Sequence, residues 1–444
     1  MRPKLGLLLI LLLAVLLTGC NESLVASQPV LSPETQPPLP SPIIPTDTPQ
    51  PEFIPTEALP TTALVDVPAP TATNAPPPIP SGPRLERLPI GTEPYFTQLH
   101  MVDPLSGWAT GGLNGSTDHV FITRDGGTGW SDVTPPQPVD SGAQDVTAFF
   151  FDASTAWATF SSLPAPLPSF PVVWHTSDAG QTWQPSQLLD LSGLEQSYVT
   201  DLYFVDMQNG WLLTHVGVGM SHDYVTLFRT SDGGLTWTRL LDPYNDGQIQ
   251  ICQKTGLLFL DSQVGWLTGD CGGVMAGAFL THTEDGGLTW SYVDLPAPAE
   301  NPLLFDVNTP AACGSDDLHF FDSQSGLLGV HCTLYDSSSS EPTFADYLYT
   351  TLDGGATWSS TSYPGGALAF VSPLDGWALS RDIYQTADGG LTWNLVNDVH
   401  WDARFNFITP EFGWAASYTE TEHALVATTD GGAHWFMLEP LIVP

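Results

Sequence analysis

Asp201 and Asp317 are the residues here best placed for acid–base chemistry, and each stands five positions before a repeated turn that begins with Asp206 or Asp322. Two carboxylates facing one another across a channel at about 5–10 Å are the equipment of glycoside hydrolysis. Two positions further along each run stand Tyr203 and His319, and the equivalent places elsewhere hold His100, Arg404 and Asn406. Polar groups at the start of otherwise apolar strands describe either a channel wall that meets water or ligand, or a hydrogen-bonded network that only holds strands together. No second motif singles out a catalytic pair, so the expectation is a binding surface and no enzyme, with hydrolysis as the alternative.

These residues are positioned by a repeat. The phrase Thr-x-Asp-Gly/Ala-Gly-x-x-Trp occurs seven times, with its carboxylates at Asp125, Asp178, Asp232, Asp285, Asp353, Asp388 and Asp430. A short acid before a Gly pair is turn chemistry: the carboxylate accepts backbone N–H groups and Gly supplies positive φ. Carboxylates at matched positions read as structural, the alternative being that some hold a cation. A second element precedes each phrase, usually an Asp followed five residues later by a Trp, as in Asp103 with Trp108 and Asp261 with Trp266. Asp322 with Leu327 lacks the aromatic, and Ser372 or Thr409 replaces the acid before Trp377 and Trp414. Of the Trp residues, Trp174 and Trp401 fall outside both elements and are the two left as ligand candidates.

Short aromatic and β-branched runs bounded by turn residues read as buried strands, and no helical periodicity accompanies them. Repeats of this length cannot bury their apolar faces singly and must pack on one another. The expected fold is all-β, a seven-bladed β-propeller of four-stranded antiparallel blades over residues 85–444. Antiparallel succession places the two repeated turns on one face. The variable loops then share the other face, where a site is expected, and the longest of them (161–171, 217–224, 297–316 and 336–346) fall in blades 2 to 5.

Residues 1–20 combine Arg2 and Lys4, an apolar run and Leu17-Thr18-Gly19-Cys20. This resembles a bacterial lipoprotein signal that leaves Cys20 as the acylated terminus, where more than one acyl chain gives stable anchoring. Residues 21–84 are crowded with Pro, Thr and Ala and lack apolar periodicity, which describes a disordered tether reaching about 3.1 Å per residue when extended. The expected location is extracytoplasmic, on the outer face of the cell membrane.

Ten Lys and Arg face 48 Asp and Glu, a formal charge of −38. That balance excludes nucleic acid as a partner and leaves the lipid anchor as the membrane contact. Cys252, Cys271, Cys313 and Cys332 form two sequential pairs in the same register to the Asp-to-Trp element. The register places both members of a pair on neighbouring strands and predicts disulfides 252–271 and 313–332, as export to an oxidising compartment permits. No Cys-x-x-Cys spacing suggests zinc, and neither metal nor cofactor is expected.

The Thr-x-Asp-Gly-Gly-x-Thr-Trp phrase is similar to the Asp box of bacterial-neuraminidase-type (BNR) repeats. With segments such as Asp261-Ser262-Gln263-Val264-Gly265-Trp266-Leu267, the chain resembles the photosystem II stability and assembly factor family of seven-bladed propellers. That resemblance implies a monomeric assembly scaffold whose partner is a protein complex at the membrane or cell surface, in that family through a basic patch and in photosynthesis. This chain departs there, since residues 95–441 hold only Arg124, Arg229, Arg239, Lys254, Arg381 and Arg404. Asp-box propellers also resemble sialidases and xyloglucan-type glycoside hydrolases, which makes a glycan the alternative ligand. Sialidases need three Arg for a substrate carboxylate, and only Arg404 lies on an expected channel strand.

Overall fold

The computed structural model describes residues 78–444 apart from 140–142, 164–166, 220–221, 245–248, 336–340 and 421. Cys20, expected to be lipidated, and the expected signal and tether up to residue 77 lie outside the described residues. Within each run of four, the strands follow the sequence in simple antiparallel succession. The first sheet runs β1 (Tyr95–Met101), β2 (Gly107–Gly112), β3 (His119–Thr123), β4 (Gly129–Asp132), and the second β5 (Ala143–Phe150), β6 (Ala156–Leu163), β7 (Val173–Thr176), β8 (Gln184–Pro185). The third holds β9 (Tyr198–Phe204), β10 (Gly210–Gly219), β11 (His222–Thr230) and β12 (Thr238–Arg239). Next come β13 (Gln253–Phe259), β14 (Gly265–Asp270), β15 (Phe279–Thr283), β16 (Ser291–Tyr292) and β17 (Ala311–Phe320), β18 (Gly326–Leu334), β19 (Thr343–Thr351), β20 (Ser359–Ser362). These two runs join as one eight-stranded sheet through the single pair Asp270↔Gly314. The last two sheets are β21 (Ala367–Phe370), β22 (Gly376–Leu379), β23 (Asp382–Thr386), β24 (Asn394–Asp398) and β25 (Asp402–Phe407), β26 (Gly413–Tyr418), β27 (His423–Thr428), β28 (Phe436–Leu438). No helix occurs among the described residues, and this all-β array of mostly four-stranded antiparallel sheets is consistent with a propeller.

The repeated turns are stitched locally. In the Asp-to-Trp element the acid accepts the N–H groups two and three residues ahead, as Asp206 does from Gln208 and Asn209 at 2.7 Å each. Ser372 and Thr409 do the same work with their hydroxyls, at Leu374 and Asp375 and at Glu411 and Phe412. In the Thr-to-Trp turn around Asp232, one carboxylate oxygen takes the Thr230 hydroxyl at 2.8 Å and the Thr236 N–H at 2.9 Å, and the other takes the Thr236 hydroxyl at 2.6 Å. Gly233 and Gly234 turn the chain at φ of 76° and 90°, which a Cβ would disfavour.

Successive sheets pack face to face on clusters such as Trp211 with Phe259, stacked at 3.6 Å, and Trp157 with Phe204 at 3.7 Å. The first strands touch in sequence, β5 with β9, β9 with β13, β13 with β17, β17 with β21, β21 with β25, and β25 with β1. A further strand, β29 (Leu441–Ile442), pairs in parallel with β4 and buries Ile442. Disulfides join Cys252 with Cys271 and Cys313 with Cys332, the latter pair directly opposite in the β17–β18 register.

The amino-terminal side differs from expectation. Residues 78–84 read as tether by composition, yet Ile79 and Leu85 pack on the apolar cluster shared by the first two sheets, and the Val139 N–H bonds the Pro83 carbonyl at 3.1 Å. The Leu85 amide donates to Gln137 O at 3.1 Å and the Leu88 amide to Asp132 at 2.8 Å. Proline-rich backbone still offers carbonyls, and its non-proline residues still donate.

Candidate functional site

The polar side chains expected to line a channel sit at sheet edges, where unpaired backbone groups need partners. Thr147 donates to Val199 O at 3.1 Å and Thr255 to Ser315 O at 2.5 Å. The Asp201 carboxylate takes a backbone bond from Leu257, and burial raises its pKa despite that bond. The Asp317 carboxylate accepts the Leu368 N–H at 2.7 Å, the Asn406 side-chain oxygen accepts the Met101 N–H at 2.7 Å, and the Arg404 guanidinium bonds Thr97 O. Each bond crosses from the first strand of one run to that of the next. Burial against aromatics governs three more: the Tyr203 ring lies 5.3 Å from Phe149 and its hydroxyl pKa is pushed up to about 12, while His100 and His319 are pulled down.

Asp317, His319 and Asn406 converge on one cleft of about 260 Å3, shared with Phe370 and Phe405. His100, Asp201, Tyr203 and Arg404 do not line it. Trp174 is core, its indole N–H bonded to Gln137 at 2.7 Å, and Trp401 packs on Phe405 and Trp435. The seven carboxylates of the Thr-to-Trp turns remain in their own turns; His434 takes the place of the second Thr at Asp430, at 2.7 Å.

A cluster with no signature in the repeat lies on β17–β19. His331 places Nε2 2.8 Å from Asp316 and Nδ1 2.6 Å from Asp346, and Tyr363 donates to Gly366 O beside it at 3.0 Å. The β17–β18 register slips between Asp316 and His319, and Asp317 adopts a left-handed φ of 47°. The slip is a bulge that re-aims adjacent side chains. Although burial opposes it, the hydrogen bonds of Asp316 and Asp346 hold the His331 imidazole up at about 10. Burial, then the neighbouring Asp316 charge, raises Asp317 to about 6. Only the adjacent acids Asp316 and Asp317 were visible in sequence; the third partner comes from strand pairing.

Other clefts lie where the last sheet meets its neighbours. One of about 390 Å3 lies between β1 and β26–β27, with Tyr95 and His423 edge to face at 4.5 Å. A second, about 490 Å3, is lined by Arg381, His400, Asp402, Tyr418 and Glu420, and Tyr418 borders both. Arg381 is already engaged there, its fork on Asp402 at 3.0 and 2.8 Å. The long loops of the second to fifth runs, expected to form the rim, lie partly outside the described residues.

No protein family matches the chain, and no curated protein matches it. Solved structures similar to it include YCF48 bound to a D1 peptide, at 17% identity over 80% of this chain and 99% of that one, with a TM-score of 0.48. YCF48 from Cyanidioschyzon merolae is 15% identical over 79% of this chain and 99% of that one, at 0.43. The GH74 xyloglucanase from Xanthomonas campestris is 12% identical over 77% of this chain and 64% of that one, at 0.35.

Proposed function

We propose that this chain is a seven-bladed propeller, counting β13–β16 and β17–β20 as two blades, that acts as a non-enzymatic binding or assembly scaffold for a protein complex. In this reading lipidated Cys20 and the following tether hold it outside the cell, as a monomer, against a membrane or cell-surface partner. The contact order of the first strands, returning from β25 to β1, supports a ring. The observation that carries the scaffold reading is the use of Asp201, Asp317, Arg404 and Asn406 as bonds between sheets. Side chains so engaged position strands, and the recesses around Tyr418 are left for a partner.

The test is cross-linking of the intact chain in its native membrane, with partners identified by mass spectrometry, beside a Tyr418→Ala/His423→Ala variant. A reproducible protein complex, lost in the variant, supports the scaffold. Retention of cell-wall or matrix glycan alone overturns it in favour of a glycan-binding or glycan-cleaving protein. One observation favours cleavage: burial, then the neighbouring Asp316 charge, raises Asp317 to about 6, which suits a general acid. Hydrolysis of a polysaccharide panel that disappears in Asp317→Asn would establish it.

A further inference from the structure

We infer that Asp316, Asp317 and His331 form a site for one first-row divalent metal ion, with Asp346 orienting the imidazole. One donor atom from each of the three lies within 4.8 Å of the other two. Bonds of about 2.0–2.2 Å to nitrogen and carboxylate oxygen bring such atoms together after small side-chain rotations. The imidazole is already aimed for the task, and binding would release the proton it holds on Nε2. Metal-bound His residues characteristically give their second nitrogen to a carboxylate, and His331 Nδ1 meets Asp346 at 2.6 Å, which aims Nε2 at Asp316. Asp317 is anchored through one oxygen by the Leu368 N–H, leaving its other oxygen for the ion.

Charge balance points the same way independently. Elsewhere Asp402 has Arg381 and Asp223 has Lys254 as a cationic partner. Among the described residues no Lys or Arg pairs with Asp316, Asp317 or Asp346, so three carboxylates share one imidazole. The space around them is kept clear by glycine: a Cβ at Gly329 would lie 3.0 Å from Asp316 Oδ1, and one at Gly365 2.7 Å from Asp346 Oδ2. The Asp-box carboxylates lack this character, since each is occupied by the hydroxyl and N–H groups of its own turn.

The donor set selects the ion. Imidazole with two carboxylates suits Zn2+ or a neighbour in its row, whereas Ca2+ requires six to eight oxygens. His331 and Asp316 are 33% and 40% exposed, so a coordination position stays open to water or to a ligand group. Asp317 also borders the cleft shared with His319 and Asn406, which places that position beside a recess.

The test is calorimetric titration of the chelator-stripped full chain with ZnCl2 and, separately, CaCl2. One saturable Zn2+ site is expected, at least tenfold tighter than Ca2+, with a rise in thermal midpoint that follows occupancy. His331→Ala and Asp316→Asn should each abolish saturable binding. Asp346→Asn, which removes no ligand, should weaken it by about 10- to 100-fold. If His331→Ala does not fold, Asp316→Asn carries the test. The absence of a saturable Zn2+ site, unchanged binding in folded His331→Ala or Asp316→Asn, or equal affinity for Ca2+ would overturn the assignment.

Discussion

The indole N–H of Trp414 donates to the carbonyl of Gly126 at 2.9 Å, joining the last sheet to the first across 288 positions of sequence. The same bond recurs between neighbours: Trp157 to Gly233, Trp211 to Gly286 and Trp377 to Gly431, each at 2.9 Å. In these four cases the Trp of one Asp-to-Trp element reaches the first Gly of the Thr-to-Trp turn in the following sheet, whereas Trp108 donates to Asp152 O. The two repeated phrases are thus two halves of one contact between sheets. The turn fixes the Gly carbonyl, and the indole supplies both a stacked face and a donor.

Replacing Trp414 separates those contributions. Trp414→Phe keeps most of the apolar contact but leaves the Gly126 carbonyl without its donor, a loss of about 1–3 kcal/mol. Trp414→Ala removes the packing too and should cost about 3–5 kcal/mol. Urea unfolding of the two variants checks the order. Equal losses would mean that the hydrogen bond is not what links these sheets.

Asp232→Ala deletes three hydrogen bonds from one turn and should cost about 1–2 kcal/mol. Because the boxes are separate turns, Asp232→Ala and Asp388→Ala should add in the double variant within about 0.5 kcal/mol. A coupling energy well above that, from a double-mutant cycle, would show that the boxes act together and so are more than turns.

How much of this was readable in sequence follows from distance along the chain. The carboxylate bonds of the Thr-to-Trp and Asp-to-Trp turns close within four residues, so their residue types announce them. Thr409 could stand in for Asp because a hydroxyl can accept the same N–H groups. Asp201, Asp317, Arg404 and Asn406 stand out in the sequence as polar intrusions, but their partners lie on other sheets, from Leu257 to Thr97, and no local pattern names them. His331 was invisible because its two acids arrive from the strands on either side. Leu441 and Ile442 were too short a run to register as a strand.

That carboxy-terminal pair closes a layered edge. Ile442 donates to Thr92 O and accepts from Gly91 N–H, both at 2.8 Å, while Leu441 and Val443 bond Thr128 and Trp130. Ile442→Ala should cost about 2–4 kcal/mol, since Ile442 packs on the cluster holding Trp130 and Trp414. Hydrogen exchange should report faster opening at Gly91 and Val443, with the β9–β12 sheet unchanged. Uniform acceleration across all sheets would mean that the edge is not a separate unit.

Each disulfide bridges 19 positions. Closing a loop of that size restricts the unfolded chain by about 3 kcal/mol. Cys252→Ser/Cys271→Ser should therefore lower stability by about that amount, and reductant should have no further effect at that pair. A variant as stable as the parent would show that the unfolded chain gains nothing from the break.

Lys254 supplies a pH signature opposite in sign to that of His331. Its side chain is fully buried, with Nζ bonded to the Ile251 and Cys252 carbonyls at 2.9 and 2.6 Å and lying 3.9 Å from Asp223. Burial pulls its pKa down to about 8 from an ordinary 10.5, the Asp223 charge only partly opposing. Between those values the unfolded chain keeps a proton that the folded chain has released, so this residue makes stability rise with pH. His331, bound to its proton up to about 10 in the fold but only to 6.5 when unfolded, makes stability fall over 6.5–10. Above 10 the buried Tyr203, held neutral to about 12, adds a second fall as unfolded tyrosine ionises. The net curve therefore conceals each group, and the informative quantity is a difference. In chelator-treated buffer, the stability of the parent minus that of Lys254→Met should climb from pH 8 to 10.5. The variant keeps the backbone N–H of residue 254 that holds Asp223, so the comparison isolates the ammonium. A flat difference would mean that Lys254 titrates in the fold as it does in water.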